Sequence, residues 1–241
     1  MTGLDSVLVA ALLIWAFRAY PREHPVRLGA ALSGVFLVTE ALIGAALVKL
    51  EHVARNASTG RGYSQSAHLI NTFTLLACLA LTVWWGMGRP AIRARGKAAR
   101  MAAISLAVVM LLGVSGAIAA LGDTLYPAQS LAAGLAQDFD PAASIFVRLR
   151  VLHPAIAVCA AGWLAFYGVS SGRRRPELRR QAWTMLVFLG AQVLAGATNL
   201  LLLAPAWLQM LHLLLADLLW ISLVLLCAGV LAVQESMPLE P

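Results

Sequence analysis

Long apolar runs recur along this chain, and short polar segments separate them. Most of the runs reach the roughly 20 residues that an α-helix needs to cross about 30 Å of hydrocarbon. They lack the apolar and polar alternation of half-buried strands, so the pattern predicts helices. Seven membrane spans are expected, over Leu4–Tyr20, Leu28–Leu50, His68–Trp85, Met101–Leu121, Ile145–Val169, Ala182–Leu203 and Trp207–Val233.

The composition agrees with this pattern and excludes a soluble globular protein. Hydrophobic residues occupy 61% of the 241 positions and charged residues only 12%. A soluble domain of this size needs more polar surface to cover its core. We therefore expect an all-α integral membrane protein with about seven transmembrane helices.

The formal net charge of +7 is explained by membrane topology. Basic residues crowd the segments after the first, third and fifth spans, and the intervening segments carry fewer cations. By the positive-inside rule the basic segments are cytoplasmic, which predicts a cytoplasmic C-terminus. Nucleic acid is not expected as a partner. The basic residues are Arg18, Arg22 and Arg27; Arg89, Arg93, Arg95, Lys97 and Arg100; and Arg173, Arg174, Arg175, Arg179 and Arg180.

An internal repeat organises the chain into two halves. The second and sixth spans share a polar residue followed four positions later by glycine, and each span precedes a helix with a histidine near its outer start. The repeat predicts a pseudo-twofold, duplicated four-helix-bundle arrangement, with an incomplete N-terminal half over residues 1–100 and a C-terminal half over 101–241. The corresponding positions are Glu40 and Gln192, Gly44 and Gly196, and His68 and His212.

Three histidines are the candidate metal ligands. His68, His153 and His212 each lie just inside the outer end of a strongly apolar helix. Neutral imidazoles from two facing helices can bind a heme iron from both sides, and ionisable residues inside a bilayer are usually functional. Hydrogen bonds between helices are the alternative role for each ring. His24 and His52 fall in loops and are expected to be solvated.

Four further polar residues accompany these histidines. Arg148 and Arg150 precede His153 toward the outer surface, where guanidinium groups can pair with heme propionates. Glu40 and Asp217 lie inside spans and can orient an imidazole or carry protons. Each acid can equally be protonated and bonded to a neighbouring helix, and the sequence leaves both roles open.

The chain contains the stretches RLRVLHP at 148–154, AALGDTLYP at 119–127 and APAWLQMLHLLLAD at 204–217. These three stretches resemble the heme A synthase family. That family consists of eight-helix membrane proteins built as two four-helix halves, each of which offers a histidine pair to a heme. The resemblance implies that His153 and His212 ligate a heme b, and that His68 binds the substrate heme O, whose methyl group is oxidised to the formyl of heme A.

The chain departs from the family pattern at its start. Counterparts of the family's first helix, and of the glutamate and histidine that open its second, are missing, which is either a true loss or a truncated start. Three functions therefore stay open: a heme A synthase, a membrane b-type cytochrome that modifies nothing, and a non-heme helper or transporter whose histidines brace helices. The resemblance implies a location in a bacterial plasma membrane, in contact with its lipid. It implies heme O synthase and an electron donor protein as partners. A homo-oligomer stays open.

Overall fold

The computed structural model describes residues 2–53 and 56–232, and within these ranges the regular structure is helical. The last residue of the seventh predicted span, Val233, lies outside the described residues. A short 3-10 turn, Pro176–Leu178, precedes the eighth helix. The α-helices are α1 (Thr2–Ala19), α2 (Pro25–Lys49), α3 (Thr59–Gly86), α4 (Gly96–Leu125), α5 (Leu131–Asp138), α6 (Ile145–Arg150), α7 (Leu152–Arg174), α8 (Arg179–Leu201) and α9 (Ala206–Leu231).

Six segments of the described chain are long and apolar enough to cross a membrane. They correspond to α2, α3, α4, α6 with α7, the 3-10 turn with α8, and α9. Large apolar side chains on their outer faces are exposed, including Val158 (74%), Leu194 (70%) and Met210 (74%), as expected where lipid replaces water. The predicted all-α membrane fold is confirmed. The first predicted span forms α1, which at 18 residues is shorter than the six.

The helices form a first group, α1–α3, and a second group, α4–α9, and α3 joins the two. It packs against α2 on one side and against α4 and α9 on the other, whereas α1 contacts α2. The buried ring of Phe73 on α3 stacks on that of Trp220 on α9, with ring centres 5.0 Å apart. The Trp220 indole N–H also donates to the carbonyl of Phe73 at 2.6 Å. This contact lies within the larger apolar core, which α3, α4, α7, α8 and α9 share.

The ends of the helices agree with the predicted topology. The amide of Arg93, in the basic segment after α3, donates to the carbonyl of Leu231 at 3.0 Å. The guanidinium of Arg175, in the basic segment after α7, donates to the carbonyl of Gly229 at 3.2 Å. Both basic segments therefore lie at the end of the bundle where α9 ends. That this end is cytoplasmic remains a prediction from the positive-inside rule.

Two segments contain helix that the hydropathy pattern missed. Helix α3 begins at Thr59, nine residues before the predicted start at His68. The pattern missed these residues because the first turns of α3 are polar and give no apolar signal. The Ser58 hydroxyl accepts from the amide of Arg61 and caps this helix. Between α4 and α6, the expected loop contains α5, whose N-terminus is capped by Ser130.

Candidate functional site

His153 on α7 and His212 on α9 face each other in the second group of helices. Their ring centres are 6.5 Å apart and their planes are nearly perpendicular, at 87°. Both side chains are half-buried, near the ends of their helices that lie away from the basic segments. The pair predicted from the sequence is therefore brought together by the fold, at similar depth.

Each of these two rings touches a polar side chain. The Ser115 hydroxyl of α4 lies 3.0 Å from His153 Nδ1, which leaves Nε2 of that ring without a side-chain hydrogen bond within the described chain. The Gln192 amide of α8 lies 3.2 Å from His212 Nε2. The other nitrogen of that ring, His212 Nδ1, is buried without a hydrogen-bond partner among the described residues, as is Gln192 Oε1.

Two glycines let neighbouring helices approach the rings. A Cβ added at Gly116 on α4 would lie 3.0 Å from His153 Cε1, and a Cβ added at Gly196 on α8 would lie 3.0 Å from His212 Cε1. Both distances are shorter than ordinary carbon contacts of about 3.5–4.0 Å. The absence of a side chain at these two positions is therefore part of what positions the histidine pair.

In the first group of helices, His68 on α3 lies beside an acid. His68 Nδ1 is 3.3 Å from Glu40 Oε2 on α2, which is an ion-pair distance. The His68 Nδ1 atom is buried and has no hydrogen-bond partner among the described residues. The Asn71 amide donates to the same carboxylate oxygen at 2.6 Å, and the Thr72 hydroxyl donates to the other oxygen. Glu40 is thus fixed by three side chains of α3.

The two histidine sites are built alike but differ in one group. Glu40 and His68 occupy the same positions of the predicted repeat as Gln192 and His212, and each pair is in contact. A carboxylate therefore stands in the first site where an amide stands in the second. In the described part of the chain, His68 has no second histidine beside it.

The two remaining histidines lie in the connecting segments, as expected. His24 accepts from the amide of Val26 at the start of α2, and His52 Nδ1 lies 2.8 Å from the Ser64 hydroxyl. Asp217 is half-buried within α9, five residues after His212. Its role stays a prediction.

The arginines before His153 differ sharply in their surroundings. Arg148 is exposed, whereas Arg150 is 9% exposed. All five N–H groups of the Arg150 guanidinium have protein acceptors, so the predicted pairing of this residue with heme propionates lacks a free donor. These acceptors are Asp138 at 2.6 Å, Asp123 at 3.2 Å, Gln137 at 3.3 Å, and the carbonyls of Gly134 at 3.1 Å and Tyr126 at 3.5 Å. Propionate binding remains a prediction for both arginines, and for Arg150 it would require displacement of one of these acceptors.

A comparison with protein families shows which family this chain belongs to. The model of the COX15-CtaA family, described as cytochrome oxidase assembly protein, matches residues 1–224. The chain belongs to the heme A synthase family. The resemblance seen in the sequence is therefore confirmed, and with it the membership in a family that takes part in the conversion of heme O to heme A.

Two curated relatives of this heme A synthase family member come from two strains of Thermus thermophilus. Each is 45% identical over 234 residues and is named protoheme IX farnesyltransferase, a name that denotes a transferase. The match covers 95% of this chain but 38% of each relative, so the chain spans well under half the length of the relatives it matches. No solved structure matches it.

The histidine pair fits the group that the family implies. Two imidazoles on one iron, each with a metal–nitrogen distance of about 2.0–2.1 Å, have ring centres roughly 6 Å apart, close to the spacing seen here. Perpendicular ring planes are compatible with this, because each ring can rotate about its bond to the metal. If His212 bound the iron through Nε2, that atom would lose its contact with the Gln192 amide. Gln192 Oε1 is buried without a hydrogen-bond partner among the described residues, so the polar groups of this site are not fully satisfied.

A leucine at Gly196 is expected to lower the heme content of the purified protein several-fold. The new side chain would occupy the space of the His212 ring, and overpacking of this kind displaces neighbours. Gly190 on the same helix provides the matched control, because nothing lies within 4 Å of a Cβ added there. Heme absorbance per protein should fall in Gly196→Leu and stay unchanged in Gly190→Leu. Equal heme contents would contradict the assigned position of the ring.

Sequence reasoning missed four residues of these sites. Ser115 and Gly116 lie in an apolar run of α4, where a serine and a glycine are ordinary packing residues. Asn71 and Thr72 follow His68 by three and four positions, the spacing at which side chains share a helix face. That spacing within a membrane span was the available signal for a polar network around His68.

Proposed function

We propose that this chain is a heme A synthase-like enzyme of the membrane, which oxidises a methyl group of heme O to the formyl group of heme A. In this proposal a heme b in the second half is the electron-transfer cofactor, and heme O binds near His68. The observation that carries it is the presence of two separate histidine sites: the His153 and His212 pair at 6.5 Å, and His68 beside Glu40.

The residues of the chain hold and orient the two hemes in this scheme. His153 and His212 would ligate heme b, with Ser115 fixing the ring of His153 so that Nε2 faces the metal. His68 would ligate heme O, with its ring oriented by Glu40. When bound, the iron would supply the oxidation chemistry, in which dioxygen and electrons from a donor give two hydroxylations of the methyl group, followed by loss of water.

The test is the heme made by cells that contain heme O. We expect heme A among the extracted hemes when this chain is expressed, and heme O alone when it is absent or carries His68→Ala. Because His68→Ala leaves the His153 and His212 site intact, the purified variant should retain heme b. Identical heme profiles with and without the chain would contradict an enzymatic role.

An electron-transfer cytochrome is the second candidate function. It is favoured by one observation: within the described residues, no second histidine faces His68. Such a protein would bind heme b through His153 and His212 and leave heme O unchanged. The heme profile of the same cells separates the two functions.

We further propose that the chain works beside a protoheme IX farnesyltransferase. Two relatives carry that name, and this chain matches 38% of their length, which leaves most of each relative for another activity. Farnesylation of protoheme IX gives heme O, the substrate proposed here. Co-purification of a separately expressed farnesyltransferase with this chain from one membrane would support the partnership, and independent elution of both would contradict it.

A further inference from the structure

We infer that Glu40 is a positioning residue that lowers the reduction potential of the heme expected at His68. This inference rests on the proposed function, because it concerns the heme expected at His68. It goes further by assigning the functional difference between the two halves to one position of the repeat, where the first half carries a carboxylate and the second an amide.

The carboxylate of Glu40 is held in a defined place. Its two oxygens accept hydrogen bonds from Asn71 and Thr72, and one of them lies 3.3 Å from His68 Nδ1. Asn71 is itself fixed, because it is 8% exposed, donates to the carbonyl of Phe36 at 2.9 Å and accepts from the Thr39 hydroxyl at 2.6 Å. The polar side chains of α2 and α3 therefore converge on one acid beside one imidazole.

A carboxylate at this place has a direct effect on the imidazole. It favours the tautomer with hydrogen on Nδ1, so that Nε2 keeps its lone pair for a metal. A carboxylate 3.3 Å from the ring also acts on it through its charge, without a hydrogen bond, and in that way raises the basicity of a ligating histidine. A more basic histidine beside a carboxylate would favour ferric over ferrous iron and so lower the reduction potential of a heme bound there.

The second site lacks these features. Gln192 places a neutral amide 3.2 Å from His212 Nε2. Ser115 places a neutral hydroxyl 3.0 Å from His153 Nδ1, the ring nitrogen that corresponds to the one beside Glu40 in the first site. A heme held there has no anionic partner for either ring in the described chain. The geometry thus assigns the lowering of the reduction potential by a carboxylate partner to the first site alone, within the described residues.

The experiment exchanges the two groups and measures the potential of each heme. Full-length protein is purified with its hemes from cells that make heme O, and each midpoint potential is followed by absorption during a redox titration. His153→Ala removes the second-half heme, so the signal that remains belongs to the first half. His68→Ala isolates the second half in the same way. The substitutions compared are Glu40→Gln, its conservative counterpart Glu40→Asp, and the reciprocal Gln192→Glu.

We expect Glu40→Gln to shift the first-half midpoint potential upward, Glu40→Asp to keep most of the original value, and Gln192→Glu to shift the second-half potential downward. If the role of Glu40 is purely structural, Glu40→Gln lowers the heme content but leaves the first-half potential unchanged, and Gln192→Glu leaves the second-half potential unchanged. If Glu40→Gln loses its heme, the second-half midpoint potential of Gln192→Glu tests the inference: a downward shift supports it, and an unchanged value overturns it.

Unchanged potentials in heme-containing variants would overturn the inference and leave the proposed function standing. A protein that carries heme b but none that depends on His68 would overturn the inference and favour the cytochrome. A folded protein without any heme would overturn the proposed function and this inference together.

Discussion

Replacing His212 with alanine is expected to abolish the low-spin heme spectrum of the second half. The ring is one of two imidazoles whose centres lie 6.5 Å apart, and an alanine offers the metal no ligand in its place. Loss of groups that only orient a ligand typically costs 10-fold to 100-fold in metal affinity, so loss of the ligand itself should cost more than about 100-fold. His153→Ala should have the same effect, measured as dithionite-reduced absorbance per protein.

The control for this prediction is His52→Ala. His52 contacts Ser64 in the outer segment and has no part in the histidine pair, so its replacement should leave the spectrum unchanged. A His212→Ala protein that is folded and keeps the reduced spectrum of the parent would contradict ligation by this residue. Equal losses in all three variants would indicate unfolding instead of a missing ligand.

Replacing Arg150 with methionine is expected to destabilise the protein by about 3–5 kcal/mol, the usual cost of removing one partner of a buried ion pair. Arg150 joins α6 to α5 through Asp138 at 2.6 Å and to the end of α4 through Asp123 at 3.2 Å. Asp138 is itself 10% exposed, so methionine would leave a buried carboxylate without its cation. The apparent melting temperature of the purified protein in detergent should fall clearly.

Arg148 offers the matched control for that measurement. It stands two positions away on the same short helix and is exposed. Arg148→Met should therefore change stability by no more than about 0.5 kcal/mol, as expected for surface substitutions. Similar melting temperatures for the two variants would show that the ion pairs of Arg150 contribute little to holding α5 and α6.

Much of the helical framework was predictable, because apolar runs of about 20 residues have few alternatives to a membrane span. The histidine pair was also predictable, since His153 and His212 each lie shortly after the start of a predicted span. Helical segments that are polar or short were not predictable. The first turns of α3 and the whole of α5 carry no long apolar run, and their caps at Ser58 and Ser130 become meaningful only once the helix is known.

The surroundings of single side chains were the least predictable part. Arg148 and Arg150 are identical in type and two positions apart, yet one is exposed and the other has protein acceptors for every N–H group. That difference depends on α5, which the sequence pattern did not reveal. The contact of Glu40 with His68 was one of two roles left open, because the pairing of α2 with α3 in space decides it.

The most direct test of the proposed function is conversion of heme O by the purified chain. The protein is placed in lipid nanodiscs with heme O, an electron donor and oxygen, and the hemes are extracted and identified by mass spectrometry. The account predicts a species with the mass of heme A, formed by the parent protein and absent with His68→Ala. Heme O recovered unchanged from a protein that holds heme b at His153 and His212 would contradict the enzymatic function and leave an electron-transfer cytochrome.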